Sequence, residues 1–215
     1  MKVTAFVGSA RKKHTYNSTE YFLEKLQSQG NVEYEIVRLC EYNLDICKGC
    51  KLCTDRGEEL CPMKDDRDEL LRKMYDSDGV IFATPNYSFD MSGQMKVFLD
   101  RLGFIFHRPV FFGKAFTSIV VQGVYRGNKI VKYFDFIGKG LGFNIVKGVC
   151  LNSLEPMTGK EQEKINHVLD RQVKKFYSVL MKKEFPAPSV FELMIFRMSR
   201  TSIKVVLDDK WKDYN

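Results

Sequence analysis

Along the chain, the spacing of apolar residues switches between short continuous runs and stretches that are apolar every third or fourth position. KVTAFVG (2–8) is such a run and predicts a strand. STEYFLEKLQSQG (18–30) spaces Tyr21, Phe22, Leu23 and Leu26 as a helix would and closes near Gly30. VEYEIVRL (32–39) alternates with period two, the mark of a half-covered, peripheral strand. DDRDELLRKMYDSD (65–78) predicts a helix with carboxylates in its first turn, where the helix dipole favours them. GVIFATP (79–85) is a continuously apolar strand ended by Pro85, and SGQMKVFLDRLGF (92–104) a third helix. AFTSIVVQG (115–123) is the fourth strand, residues 127–140 a weaker, Gly-rich helix, and FNIVKGVCL (143–151) the fifth strand. Residues 158–184 make a long last helix, opened by Thr158 with Glu161 three residues on, a capping box.

Five strand–helix alternations with strands apolar on both faces predict an α/β fold, a doubly wound parallel sheet between two helical layers. Such sheets bind ligands at the carboxyl ends of their strands. The main domain runs over 1–185, with a cysteine-bearing loop, 40–63, inserted after the second strand. FPAPS then breaks the last helix and leaves a C-terminal arm, 186–215. Phe191, Met194, Ile195 and Met198 share one helical face of that arm, and Trp211 stands near its end. The arm packs either on its own domain or on a second subunit.

Composition narrows the function. With 34 Lys+Arg against 27 Asp+Glu the net charge is +7, but the bases alternate with acids, which argues against a nucleic-acid partner. No run approaches the roughly 20 apolar residues of a membrane span, and the first residues do not read as a secretory signal. A cytoplasmic protein is expected, in which clustered cysteines serve metal or redox chemistry rather than disulfides. No Ser/His/Asp set or carboxylate pair suggests hydrolysis.

Three strand-end loops carry the candidate chemistry. GSARKKHTYNST (8–19) offers Ser9, Arg11, Thr15, Asn17, Ser18 and Thr19 beside a helix start, a combination suited to a phosphate monoester. It matches neither the P-loop nor the dinucleotide fingerprint. TPNYSFDMSGQMKVFLDR (84–101) sets Tyr87 between Asn86 and Ser88, an aromatic wall with polar edges. QGVYRGN (122–128) adds Gln122, donor and acceptor at once, and Gly123, which permits close backbone approach. Together they suit a mononucleotide with a flat heterocycle.

CKGCKLC followed by Cys61 spaces four thiols as Cys-x2-Cys-x2-Cys-x7-Cys: Cys47, Cys50, Cys53 and Cys61. Two tight steps resemble the run that ferredoxins wrap around a cubane cluster. Zinc sites more often pair two Cys-x2-Cys units across a longer gap. An iron–sulfur cluster, zinc, and metal-free redox thiols all stay open. Cys40 and Cys150 read as small buried apolar residues.

GSARK…TYNST, CKGCKLC…C, MKDDRDELL and TPNYSFDMSGQMKVFLDR together resemble the NADPH-dependent FMN reductase and iron–sulfur flavoprotein group of the flavodoxin-like superfamily, over about residues 1–180. The resemblance implies a flavodoxin-like three-layer sandwich with a five-stranded parallel sheet of order 2-1-3-4-5, and FMN as cofactor. It implies that Ser9, Arg11, Asn17, Ser18 and Thr19 hold the phosphate, with Pro85, Asn86, Tyr87 and Ser88 at the ribityl chain and isoalloxazine, and Gln122 and Gly123 near the ring. It implies a [4Fe–4S] cluster on Cys47, Cys50, Cys53 and Cys61. The implied activity is NAD(P)H oxidation through FMN, with electrons leaving to a small-molecule or protein acceptor, or singly through the cluster. The alternative is a non-enzymatic electron carrier or redox sensor. The resemblance also implies a homodimer or homotetramer.

Overall fold

The computed structural model describes residues 1–185 and, beyond them, Ala187, Val190, Leu193, Met194, Arg197 and Met198. Phe191, Ile195 and Trp211, the other marks of the arm, lie outside the described residues. Strand segments β1 (Lys2–Val7), β2 (Glu33–Arg38), β3 (Gly79–Tyr87), β4 (Asp90–Met91), β5 (Ala115–Gln122), β6 (Asn144–Ile145) and β7 (Val149–Asn152) form one sheet. The parallel order is β2-β1-β3-β5, with β6 and β7 both paired to β5. The expected order is therefore present, but the sheet has seven strand segments rather than five. The fifth position is split: Val146 N–H reaches the Phe116 carbonyl at 2.8 Å, then Gly148 N–H turns away to Asp135 Oδ1 at 3.1 Å. β4 is a short antiparallel addition to β3.

Helices α1 (His14–Gln27), α2 (Leu52–Asp55), α3 (Arg67–Tyr75), α4 (Gly93–Arg101), α5 (Gly127–Gly140) and α6 (Gly159–Lys182) supply the outer layers. Strand alternation assigns the sides, because successive side chains point to opposite faces. Val3, Ala5, Val7, Ile81, Ala83, Ile119 and Val121 pack with Phe22, Leu26, Leu169 and Phe176 of α1 and α6. Phe6, Val80, Phe82, Phe116 and Val120 pack with Leu70, Met95, Phe98 and Phe134 of α3, α4 and α5. The Thr158–Glu161 capping box opens α6 as the sequence predicts.

Two boundaries differ from the sequence reading. α1 begins at His14, not near Ser18, although its N-terminus has no side-chain cap. The hydroxyl residues that suggest a loop lie inside the helix. Thr15, Ser18 and Thr19 are buried, and Thr19 Oγ1 donates to the Thr15 carbonyl at 2.8 Å, which removes its competition with the backbone. β3 runs through Pro85 to Tyr87. Pro85 is tolerated because Gly8 N–H gives the Ala83 carbonyl its bond at 2.8 Å and β1 has ended at Val7. Two residues on, Pro85 lacks an N–H where no β1 residue remains to receive it. Among the described residues no helix is long and apolar enough to cross a membrane.

Candidate functional site

The loops after β1, β3 and β5 meet at the carboxyl edge of the sheet. The first is fixed from several sides. A Cβ on Gly8 would stand 2.7 Å from Ser92 Oγ and 2.8 Å from Met95 Cβ, so only glycine lets this loop lie on the start of α4. Buried Ser9 donates its hydroxyl to the Arg11 carbonyl at 3.0 Å. Arg38, at the end of β2, donates to the Ala10 carbonyl at 2.7 Å and pairs with Glu41. The Cys40 thiol faces the Ser9 carbonyl at 3.9 Å. The first intrahelical bond of α1 runs from Asn17 N–H to the Lys13 carbonyl, so the N–H groups before it point out of the helix end, where an anion is favoured. Arg11 and Asn17 are exposed beside this end, and Thr15 is buried in the first turn. Ser18 and Thr19 lie a turn further in. His14 bonds Glu155 at 2.9 Å, which ties the loop to the segment after β7.

The second loop is a hairpin. Tyr87 pairs with Asp90, and the two residues between them, Ser88 (φ 50°) and Phe89 (φ 67°), both occupy left-handed backbone. That is the geometry of a tight type I′ turn, which follows the twist of the flanking strands. Ser92 N–H donates to Thr84 Oγ1 at 3.0 Å, and the Ser92 hydroxyl accepts from Met95 N–H, capping α4. Asn86 Nδ2 donates to the Tyr125 carbonyl at 2.9 Å, while its buried Oδ1 has no partner.

In the third loop the Gln122 amide is bonded inside the protein. Its Oε1 accepts from Gly127 N–H at 2.6 Å and its Nε2 donates to Asn152 Oδ1 at 2.6 Å. Gln122 therefore shapes the loop, and the Gly123 backbone is the part open to a ligand: a Cβ there would meet only Leu154, at 3.4 Å.

These residues fit FMN. A helix end with Arg11 beside it suits the phosphate, and the exposed Tyr87 side chain offers apolar surface to a flat ring. The orphaned Asn86 Oδ1 is an acceptor that needs a donor, and a buried polar atom left unpaired is costly.

The cysteine loop is built separately, at the far end of α4. Cys47, Cys50, Cys53 and Cys61 line one solvent-open pocket with Lys48, Lys51, Arg67, Arg101 and Phe104. Beneath it Arg101 pairs with Asp65, their side chains only 2% and 1% exposed. Arg101 also donates to the Asp45 carbonyl at 3.0 Å and to Cys61 Sγ at 3.7 Å. Arg67 donates to the Glu58 carbonyl at 2.9 Å and lies over the Phe104 ring, and Arg108 pairs with Glu58. Asp65 and Asp66 accept from the Asp45 and Asn43 N–H groups, so these carboxylates clamp the base of the loop and do not sit inside the first turn of α3. Burial pushes the Cys53 thiol pKa up, against a hydrogen bond with Thr54, and the nearness of Cys61 and Cys47 adds to the rise. The donor set fits an iron–sulfur cluster: four sulfurs on one pocket, over two guanidinium groups that offset negative charge. Among the described residues, however, no three Cys, His, Asp or Glu side chains already converge to hold a metal ion.

Sequence reasoning missed Arg38, Glu155, Arg67, Arg101 and Arg108. Only Arg101 falls within a quoted strand-end stretch, at its last position, and the partners that matter are distant in sequence: Ala10 for Arg38, His14 for Glu155, Asp65 for Arg101 and Glu58 for Arg108. The sole local signal was DDRD beside the cysteines, which pairs carboxylates with a loop of free backbone N–H groups.

The family model for NADPH-dependent FMN reductase matches residues 1–152. An iron-sulfur flavoprotein of Archaeoglobus fulgidus is 34% identical over 159 residues, 69% of this chain and 71% of that protein. An iron-sulfur flavoprotein of Methanocaldococcus jannaschii is 27% identical over 197 residues, 85% of this chain and 98% of its own. Among solved structures, RosB with bound 8-demethyl-8-formylriboflavin-5'-phosphate has a TM-score of 0.69 at 15% identity, covering 97% of this chain and 88% of that one. The apo form of the NADH:FMN oxidoreductase EmoB has a TM-score of 0.58 at 20% identity, covering 81% and 89%. At these identities the structures share the fold, while the family match extends over every strand of the sheet and all three strand-end loops: the chain belongs to the NADPH-dependent FMN reductase family of flavoprotein oxidoreductases.

Proposed function

We propose that this oxidoreductase binds FMN across the three strand-end loops, takes its electrons from NAD(P)H, and delivers them to a small acceptor or to a [4Fe–4S] cluster that Cys47, Cys50, Cys53 and Cys61 would hold. The observation that carries the reading is the convergence of an anion-binding helix end, an exposed aromatic and the unpartnered Asn86 Oδ1 at one sheet edge. When bound, FMN supplies hydride acceptance and the conversion between two-electron and one-electron transfer. The protein supplies position. Arg11 and the first N–H groups of α1 hold the phosphate, Asn86 and the Gly123 backbone bracket the ring, and Arg38 keeps the phosphate loop in place. Support for the cluster comes from the four sulfurs on one pocket and from the iron-sulfur flavoproteins among the relatives. The cysteine pocket and the cofactor loops occupy opposite ends of α4, about 13 Å apart along a nine-residue helix.

Arg11→Ala is expected to weaken FMN binding about ten- to a hundredfold, the loss of one charge-assisted hydrogen bond. Riboflavin, which lacks the phosphate, should bind both proteins alike. Equal losses for the two flavins in a fluorescence titration would remove Arg11 from the phosphate site. The cluster is tested by an anaerobic absorbance spectrum of freshly purified protein, with iron, zinc and acid-labile sulfide counted on the same sample. About four iron and four sulfide per chain are expected, and a marked fall in Cys53→Ser. Zinc without sulfide, or no metal, would sink this part of the proposal. Steady NAD(P)H consumption, rather than a single bleaching of the flavin, separates an enzyme from an electron carrier.

A further inference from the structure

We propose that Arg67 and Arg101 set the reduction potential of a cluster held by Cys47, Cys50, Cys53 and Cys61, by placing two enclosed cations against the thiolates. This rests on the cluster reading above and adds to it the residues that favour one-electron uptake there.

Taking up one electron makes and breaks no bond and needs no proton. It adds one negative charge to a pocket that already holds the thiolates. The potential of that step is governed by net charge, hydrogen bonds to sulfur and exposure. Arg101 lines the pocket and donates to Cys61 Sγ at 3.7 Å. Its partner Asp65 does not line the pocket and accepts behind it from the Asp45 and Arg67 N–H groups. The buried pair thus turns its positive end to the sulfurs. Arg101 also closes the last turn of α4, whose dipole directs partial negative charge at the same place, and offsets it. Arg67, 4% exposed, lines the pocket against the Phe104 ring, while its carboxylate partner Asp68 has a side chain 75% exposed. Water weakens the field of that carboxylate more than the field of the enclosed guanidinium. The lining residues Lys48, Lys51 and Asp100 are exposed, so solvent and salt screen them.

The test is an anaerobic titration with dithionite, read by the electron paramagnetic resonance signal of the reduced cluster, on proteins whose iron and acid-labile sulfide have been counted. Arg67→Gln removes a cation without stranding a buried carboxylate. At a fixed poise its ratio of reduced to oxidised cluster should fall about tenfold or more. Arg101 is reached through its partner, because replacing it would strand Asp65. Asp65→Asn removes the negative end of the buried pair and should raise the same ratio. Arg67→Lys keeps the charge and should stay within about threefold of the unaltered protein. The flavin midpoint should move far less, because the cofactor loops occupy the other end of α4. A purely structural role disturbs packing in Arg67→Gln and Asp65→Asn alike and gives the potential no reason to move in opposite directions. Ratios that stay put, or move the same way, overturn the proposal. So does loss of iron and sulfide from either variant while the unaltered protein keeps them, which would make these residues supports of the loop alone. An unaltered protein without iron and sulfide overturns the cluster reading itself, and the counts reveal this before any potential is measured.

Discussion

Arg101→Met is expected to cost about 3–5 kcal/mol of folding stability, because it leaves the Asp65 carboxylate buried without its cation. Both side chains are almost fully enclosed, so water cannot replace the lost partner. The damage should concentrate on the cysteine loop, which Arg101 holds at the Asp45 carbonyl and at Cys61. Arg101→Met/Asp65→Leu should recover only part of the loss. It removes the stranded charge but orphans the Asp45 and Arg67 N–H groups that Asp65 satisfies. The pair also sets an acid limit. Burial raises the Asp65 pKa, but the Asp45 N–H, the Arg101 guanidinium and the Arg67 N–H outweigh burial and hold it below the ordinary carboxylate range. The unfolded chain thus takes up this proton more readily than the folded one. The contribution is whole above the unfolded value of about 3.9 and is lost as pH falls through the folded value. Urea unfolding of both proteins across that range checks the argument: the acid-dependent loss should be smaller in Asp65→Asn. A midpoint shift in Arg101→Met worth less than about 1 kcal/mol would show that the pair is not a buried one in solution.

Phe82→Ala should be similarly damaging, at about 3–5 kcal/mol, for an apolar reason. Phe82 is fully buried in β3, the central strand, and meets Phe6 at 6.0 Å, Phe98 at 5.7 Å, Phe116 at 5.0 Å and Phe134 at 5.9 Å, each close to edge-on. Truncation opens a cavity among four rings that belong to β1, α4, β5 and α5, and these elements cannot close on it without bending the sheet. Phe82→Leu should retain most of the stability, at a cost of about 1–2 kcal/mol. Calorimetry on the three proteins would rank them. An alanine variant no worse than the leucine variant would mean the layer collapses to fill the space. β3 ends in the Asn86–Tyr87 hairpin, so Phe82→Ala should also weaken FMN binding, whereas Arg101→Met, acting at the other end of α4, should not.

The departures from expectation share a cause. Pro85 ends a strand only if its missing N–H would have had a partner, and whether β1 extends that far is a matter of pairing, not of local propensity. Thr15 and Asn17 read as loop residues because such side chains compete with the backbone, but α1 starts at His14 and the Thr15 carbonyl is taken up by Thr19 within the helix. Gln122 read as a ligand group because an amide at a strand end is free by default; here Gly127 and Asn152 engage both its ends.

The periodic pattern of apolar residues by itself determined the alternation of strands and helices, and with it a parallel sheet between two helical layers. Burial of apolar surface depends on period, and period is local. The spacing of the cysteines and the residue types of the three loops were equally legible, since a ligand motif is a short-range property. What only the tertiary structure decided was partnership. Arg38 reaches Ala10, Glu155 reaches His14, Arg101 reaches Asp65 and Cys61, and Phe89 reaches Tyr125. Hydrogen bonds, ion pairs and ring contacts act over a few ångströms between residues tens of positions apart, and the fold alone brings such residues within that distance.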